Sequence, residues 1–364
     1  MRILVYTALF DDKTIAWING NIFSILNDHE FYYITDEKSD LKKYNDWNLS
    51  YIPKLKTRFK IINKIYDFLI LPLKIANFMK KKRIQLMLIP SESWSDIIGN
   101  FAGRIYRIPV ISYLRGHILI IKKLFSKSLF LKVANKLHIF GFKMFDKIIA
   151  ITDELKQYIT SYGIKKSKVS VIYCATNDEL FFPSTEKFEN LSIIHTGGFF
   201  RDKGIHFILE LARKFPEIDF LLAGMGKPDL FGSIPCNCKI LGWKSKPELA
   251  KLLRKSHIFL FLTYSEGFSI ALLDAMTSGL AIITTNVDHH KYLVKGGYIL
   301  PSPALVEEKV IIKESSKAIK DLKESPKKIE EFGKKNYDFS RNFNLEKQRK
   351  KYNKLFYDEI KNLC

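Results

Sequence analysis

Short apolar runs recur along this chain, separated by stretches of helical periodicity. MRILVYT (Met1 to Thr7) opens the series. QLMLIP (Gln85 to Pro90), PVISYL (Pro109 to Leu114), DKIIAIT (Asp146 to Thr152) and VSVIY (Val169 to Tyr173) continue it. Runs this brief and this apolar suit buried strands, and SDIIGNFAGRIY (Ser95 to Tyr106) is one of the helices between them. Alternating strand and helix builds parallel sheets from βαβ units. A polar stretch, ATNDELFFPSTEKFENL, interrupts the pattern from Ala175 to Leu191 and reads as a linker. The alternation then restarts with LSIIHT (Leu191 to Thr196), IDFLLAG (Ile218 to Gly224), CKILGW (Cys238 to Trp243), HIFLFL (His257 to Leu262) and LAIITT (Leu280 to Thr285). From about Ala304 the chain is helical and lysine-rich. The expectation is an α/β protein of two Rossmann-like, doubly wound domains facing across a cleft, with ligand at the switch points.

Composition narrows the function classes. A chain of 364 residues, 47% hydrophobic and 27% charged, has the make-up of a two-domain globular protein. Its four cysteines, Cys174, Cys236, Cys238 and Cys364, exclude a disulfide scaffold, and the Cys-Asn-Cys pair lacks zinc-ribbon spacing. His289 and His290 are adjacent with no obvious third ligand, so no metal site is expected. There is no basic start followed by an apolar run, and no apolar stretch of the ~18 residues a membrane span needs. The chain reads as cytoplasmic.

The net charge of +21 is unevenly spread. Residues 51–150 carry 20 basic and 4 acidic side chains, whereas residues 1–50 are net acidic. Two basic-apolar stretches lie there, RFKIINKIYDFLILPLKIANFMKKKR (Arg58 to Arg83) and HILIIKKLFSKSLFLKVANKLHIFGFKMFDK (His117 to Lys147). Lysines at helical spacing beside Ile, Leu and Phe suit a helix lying on an anionic membrane. A core-facing stripe with a solvated lysine face has the same pattern. Without a helix-turn-helix, zinc-finger or RNP signature, nucleic acid is not an expected partner.

Two segments carry chemistry. In IIHTGGFFRDKGIHFILELARKF (Ile193 to Phe215), a strand ends in Gly197 and Gly198, Arg201 and Lys203 follow, and a helix begins near Gly204. Glycines that admit a ligand to the backbone, two cations and a helix N-terminus together suit a diphosphate. A tight turn with exposed cations would read the same. In FLTYSEGFSIALLDAMTSGLAIITT (Phe261 to Thr285), the loop Ser265-Glu266-Gly267 leads into a helix from about Ser269 to Ser278, with Gly279 as its C-cap. Glu266 and Asp274 are eight apart, so both can border one site. An acid inside Ala-Leu-Leu-Asp-Ala-Met is costly to bury unless something binds it, and ribose hydroxyls are one such partner. A solvent-facing helical acid is the alternative. The N–H groups of Gly267, Phe268 and Ser269 could meet a phosphate.

Four motifs in register resemble glycosyltransferase family 4, the retaining group with the GT-B fold. His195-Thr-Gly-Gly-Phe-Phe-Arg-Asp-Lys-Gly204 is similar to its phosphate loop. Leu221-Leu-Ala-Gly-Met-Gly226 is similar to its strand ending in Gly-x-Gly and includes Gly224. Ile240-Leu-Gly-Trp243 is similar to the segment near the nucleotide base. Ser265 to Phe268 with Asp274-Ala-Met276 resembles the family's E-x7-E motif. The resemblance covers about residues 145–300.

The resemblance implies metal-independent transfer, without a cofactor, of a hexose or related sugar from a UDP, GDP or other nucleotide-diphosphate sugar. Lys203 falls on the family's phosphate lysine, and Glu266 on the acid that faces the donor sugar. Asp274 replaces the second Glu, which holds the ribose, with one methylene less. Arg201 lies three residues past the family's arginine position, which is Gly198 here. The family's glycine pair over the diphosphate is reduced to Gly20 within FDDKTIAWINGN. Its catalytic His-Gly appears as Arg115-Gly116-His117, so either His117 takes that role or Arg115 does the electrostatic work. The expected domains are 1–174, acceptor-side and joined by the closing helix 344–364, and 175–343, donor-binding. The acceptor would be a glycan or lipid-linked molecule in cell-surface polysaccharide, lipopolysaccharide or glycolipid synthesis, met peripherally on the inner face of the membrane. The alternatives are a GT-B module that binds nucleotide sugar with weakened turnover, or a basic nucleic-acid-binding protein.

Overall fold

The computed structural model describes residues 1–7, 26, 28–35, 48–52, 55, 57–90, 95–114, 139–287 and 289–362. The chain divides into two compact units, Met1–Tyr173 with Gln348–Cys364, and Cys174–Lys347.

The first unit is a seven-stranded sheet in the order β3-β2-β1-β4-β5-β6-β7. Its strands are β1 (Arg2–Thr7), β2 (Glu30–Thr35), β3 (Asn48–Tyr51), β4 (Leu86–Pro90), β5 (Val110–Leu114), β6 (Lys147–Ala150) and β7 (Val169–Val171), each parallel to its neighbours. β4 and β5 are buried along their whole length, which is why they read as unbroken apolar runs. Helix α1 (Lys60–Ile65) passes through a π-helical turn, Tyr66–Ile70, into α2 (Leu71–Lys82). Pro72 sits in the first turn of α2, where its missing N–H costs nothing, and Leu71, Ile75 and Met79 form the buried face. Helix α3 (Ser95–Tyr106) packs beside α2, and α4 (Asp153–Ser161) is capped by Thr152, whose hydroxyl accepts from the Leu155 N–H.

The second unit repeats the design with six parallel strands in the order β10-β9-β8-β11-β12-β13. These are β8 (Ser192–Thr196), β9 (Asp219–Ala223), β10 (Cys238–Gly242), β11 (Ile258–Phe261), β12 (Ala281–Thr285) and β13 (Gly297–Leu300). Helices α5 (Ile205–Lys214), α6 (Lys246–Lys255), α7 (Ile270–Thr277), α8 (His290–Leu293), α9 (Glu308–Glu324) and α10 (Pro326–Ser340) belong to it. Its buried Asn336 donates to the Leu280 and Gly296 carbonyls at 2.9 and 2.6 Å and accepts from the N–H groups of Lys295 and Gly296. A polar side chain in that core is tolerated because its amide is fully bonded.

The last helix, α11 (Leu345–Lys361), returns to the first unit. Tyr352 and Phe356 are wholly buried, Tyr352 stacks on Tyr113, and the Gln348 amide donates to the Tyr173 carbonyl at 2.7 Å.

The segment read as a linker is bound instead along the second unit. Phe181 is buried, and the Lys187 ammonium donates to the carbonyls of Arg254 and Ser256 at 2.8 and 2.9 Å. Burial lowers the Lys187 pKa to about 8. Strands β2, β3 and β13 were not expected. β3 is a four-residue, partly exposed NLSY, and β13 (GYIL) opens on glycine and buries only Leu300, so neither is a fully buried strand.

Candidate functional site

Both sheets reverse direction beside their first strand. In the second unit this switch point lies between β8 and β11, and ligands of doubly wound folds sit beyond the carboxyl ends of such strands. The loop after β8 carries Lys203, and the loop after β11 carries Glu266.

Backbone contacts zip these loops together. The Tyr264 N–H and Thr263 hydroxyl both donate to the Asp202 carbonyl, at 2.8 and 3.1 Å. Gly204 stands in the left-handed region (φ 73°) against β11, where an added Cβ would lie 2.1 Å from the Leu262 carbonyl oxygen. Only glycine meets both demands. The Lys203 ammonium is thereby held 2.6 Å from a Glu266 carboxylate oxygen and 3.4 Å from the Ser265 carbonyl. Both side chains keep some exposure, 24% for Lys203 and 17% for Glu266.

Gly197 donates its N–H to the Ala223 carbonyl at 3.0 Å. Gly224 presses on the Gly197 carbonyl, and a Cβ there would come within 1.6 Å of that oxygen. Gly197 and Gly224 therefore meet backbone to backbone, while the Phe200 ring lies against Gly198. Beneath this turn, His195 is fully buried. Its Nδ1 donates to the Leu260 carbonyl at 3.2 Å, and its Nε2, an acceptor in that tautomer, has no hydrogen-bond partner among the described residues. Burial pushes its pKa down to about 4, so the ring is neutral at physiological pH.

Asp274 is buried, which removes the solvent-facing reading. Its Oδ1 accepts from the Thr176 hydroxyl at 2.8 Å, and its Oδ2 lies 2.7 Å from the Lys246 ammonium. Burial pushes its pKa up, and Lys246 and Thr176 oppose the rise. Thr176 in turn donates its N–H to the Phe343 carbonyl at 2.9 Å. Lys246 was not singled out in the sequence. It follows Ser245, which forms a reciprocal capping box with Glu248, and that helix-start signal marks where α6 would present its first side chain.

The remaining residues fall less closely together. Arg201 pairs with Glu308 at the start of α9, which also accepts from the Tyr264 hydroxyl, and its side chain is mostly exposed. It does not meet the Lys203–Glu266 pair. The Ser269 N–H donates to His289 Nε2 at 3.3 Å, and the Ser269 hydroxyl caps α7 by accepting from the Leu272 N–H. That N–H is engaged within the protein. Phe268 stacks on His289 with ring centroids 4.6 Å apart. His290 bonds the Thr284 hydroxyl and the Thr285 carbonyl, so both histidines serve packing around α7 and α8. Gly267 lies in the Glu266 loop, and Trp243 is exposed at the end of β10. Gly20, Arg115 and His117 lie outside the described residues.

Comparison with known proteins agrees with this architecture. The family model described as Glycosyl transferases group 1 matches residues 176–339, and the one described as Glycosyltransferase Family 4 matches residues 27–180. The chain belongs to glycosyltransferase family 4. An uncharacterized glycosyltransferase of Methanocaldococcus jannaschii is 26% identical over 337 residues, covering 90% of this chain and 89% of that one. The Escherichia coli UDP-Gal:alpha-D-GlcNAc-diphosphoundecaprenol alpha-1,3-galactosyltransferase is 23% identical, covering 76% and 77%. The crystal structure of Anabaena HepE in complex with UDP and glucose superposes with a TM-score of 0.76 at 14% identity, covering 98% and 99%. That likeness shows the GT-B fold. In this family 4 chain, the lysine and acid of the two switch-point loops are present and paired, and the second acid of E-x7-E is an aspartate bound to Thr176 and Lys246.

Proposed function

We propose that this glycosyltransferase moves a hexose or related sugar from a nucleotide-diphosphate sugar, with retention, to a glycan or lipid-linked acceptor. The carrying observation is the Lys203–Glu266 pair at the switch point of the second unit. A diphosphate leaving group develops negative charge as the glycosidic bond breaks. An ammonium held by two zipped loops is already placed where it can stabilise that charge. On this reading Lys203 exchanges part of its contact with Glu266 for the diphosphate, and Glu266 turns to the sugar hydroxyls. The glycine turn at Gly197–Gly198 lets the phosphates approach the backbone at Gly197. The reaction needs no metal, because the cation is supplied by the protein.

The UDP-Gal and diphosphoundecaprenol named for the E. coli relative, and the UDP and glucose in Anabaena HepE, support a nucleotide-sugar donor and a membrane-borne acceptor. The first unit recognises the acceptor, and its basic 51–150 region holds the enzyme peripherally on the anionic inner face of the membrane. Among the described residues no helix is long and apolar enough to cross a membrane.

The test is turnover of a panel of nucleotide sugars on lipid-linked acceptors in the presence of a chelator, with the anomeric configuration of the product read by NMR. Retained configuration with undiminished rate supports the proposal. Inversion, or a rate abolished by the chelator, contradicts it.

A further inference from the structure

One large surface feature of the first unit has no part in the site above. From Phe59 to Ile70 none of the described side chains is buried, although the segment is mostly apolar. Leu69 is 62% exposed, and Ile65 and Leu73 are each 53% exposed. The π-helical turn places three consecutive exposed apolar residues, Phe68, Leu69 and Ile70, at the join of α1 and α2. Burial resumes only at Leu71. Exposed Phe101 and Ile105 on the adjoining α3 extend the apolar area. α2 leads through Arg83 directly into β4, so it runs against the strands, and its exposed start projects at the carboxyl edge of the sheet.

The charge along this ridge is mainly positive. From Arg58 to Lys74 there are four basic side chains and one acid, Asp67, and Lys80, Lys81, Lys82 and Arg83 follow at the far end of α2. The Arg58 guanidinium lies over the Phe59 ring, and the Lys74 ammonium donates to the Tyr66 hydroxyl at 2.6 Å. A contiguous exposed apolar surface marks an interaction site. A second copy of the chain would bring two strongly positive faces together, which opposes association. A nucleic acid would use the cations and gain little from bare leucine and isoleucine. Apolar residues collared by lysine and arginine match a bilayer with anionic headgroups.

We infer that the Phe59–Leu73 segment inserts into the membrane surface: Phe59, Ile62, Ile65, Leu69, Ile70 and Leu73 enter the acyl boundary while the flanking cations meet lipid phosphates. The inference rests on the proposed membrane-borne acceptor and adds that attachment is apolar insertion as well as charge attraction.

The variant Ile65→Gln/Leu69→Gln/Ile70→Gln keeps charge and helix propensity and alters only exposed positions. Co-sedimentation with phosphatidylcholine vesicles containing phosphatidylglycerol is measured at low salt and at ~1 M salt, where the screening length is about 3 Å. The parent is expected to keep part of its binding at high salt, and the variant to lose at least tenfold there while staying folded by circular dichroism. Equal binding by parent and variant at high salt overturns the inference. So does a dimeric parent that the variant converts to monomer, or preferential parent binding to duplex DNA over vesicles. Nucleotide binding is followed on the same samples. Its absence with insertion intact would defeat the proposed function alone, and its presence with insertion absent would defeat this inference alone.

Discussion

The Thr176 hydroxyl donates to Asp274 Oδ1 at 2.8 Å, joining residues 98 positions apart. Through the Thr176 N–H and the Phe343 carbonyl, the same aspartate is tied to the segment where the chain leaves the second unit. Its other oxygen holds Lys246. Asp274 thus anchors three elements from inside α7. Replacing it with Ala strands the Thr176 hydroxyl and frees Lys246. The expected cost is about 1–3 kcal/mol of stability, measured by urea unfolding. Thr176→Val is expected to cost about 1 kcal/mol, and less than additively when combined with Asp274→Ala, because the two share one bond.

His195 makes stability depend on pH. Its folded pKa, about 4, lies below the ordinary value of 6.5. The unfolded chain therefore takes up a proton that the folded chain refuses. The stabilisation is complete above pH 6.5 and is lost as pH falls from there toward 4, by on the order of 3 kcal/mol. Burial also depresses His206 and His257, which adds slope of the same sign. Unfolding free energy measured across that window is expected to fall, and to fall less steeply in His195→Gln. Parallel profiles would refute the assignment.

Gly224→Ala places a methyl 1.6 Å from the Gly197 carbonyl oxygen, which is backbone and cannot swing aside. The turn must open, at a cost of about 1–3 kcal/mol. Nucleotide affinity is expected to fall with it, by calorimetry. Unchanged stability and affinity would mean that this turn is neither tight nor near the ligand.

Phe356→Ala removes a wholly buried ring from α11, with an expected loss of about 3–5 kcal/mol. On the proposed function nucleotide binds the other unit, and that binding is expected to survive wherever the protein is folded. Circular dichroism melts beside calorimetry separate the two effects.

What could be read in the sequence follows from how each part is stabilised. β4, β5, β8 and β12 are buried along their length, so they appear as apolar runs, and the strand-helix alternation carried both sheets. Lys203 and Glu266 stand out as candidates because each follows a glycine-marked strand end, and the structure pairs them. β3 was missed because a partly exposed strand needs no apolar run. Lys246 was missed because its partner is remote in sequence, and only its capping box is local. The pairing of Arg201 with Glu308 likewise spans 107 positions and leaves no local trace.

The central claim is that Lys203 and Glu266 form the diphosphate-sugar end of a donor site. Its most direct test is calorimetric titration of nucleoside diphosphates and their sugars into the metal-free protein and into Lys203→Ala. Micromolar binding of one nucleotide to the parent is expected, with at least a tenfold loss in the variant and the fold unchanged. Equal affinity in parent and variant, or no binding by the parent across the panel, would contradict it.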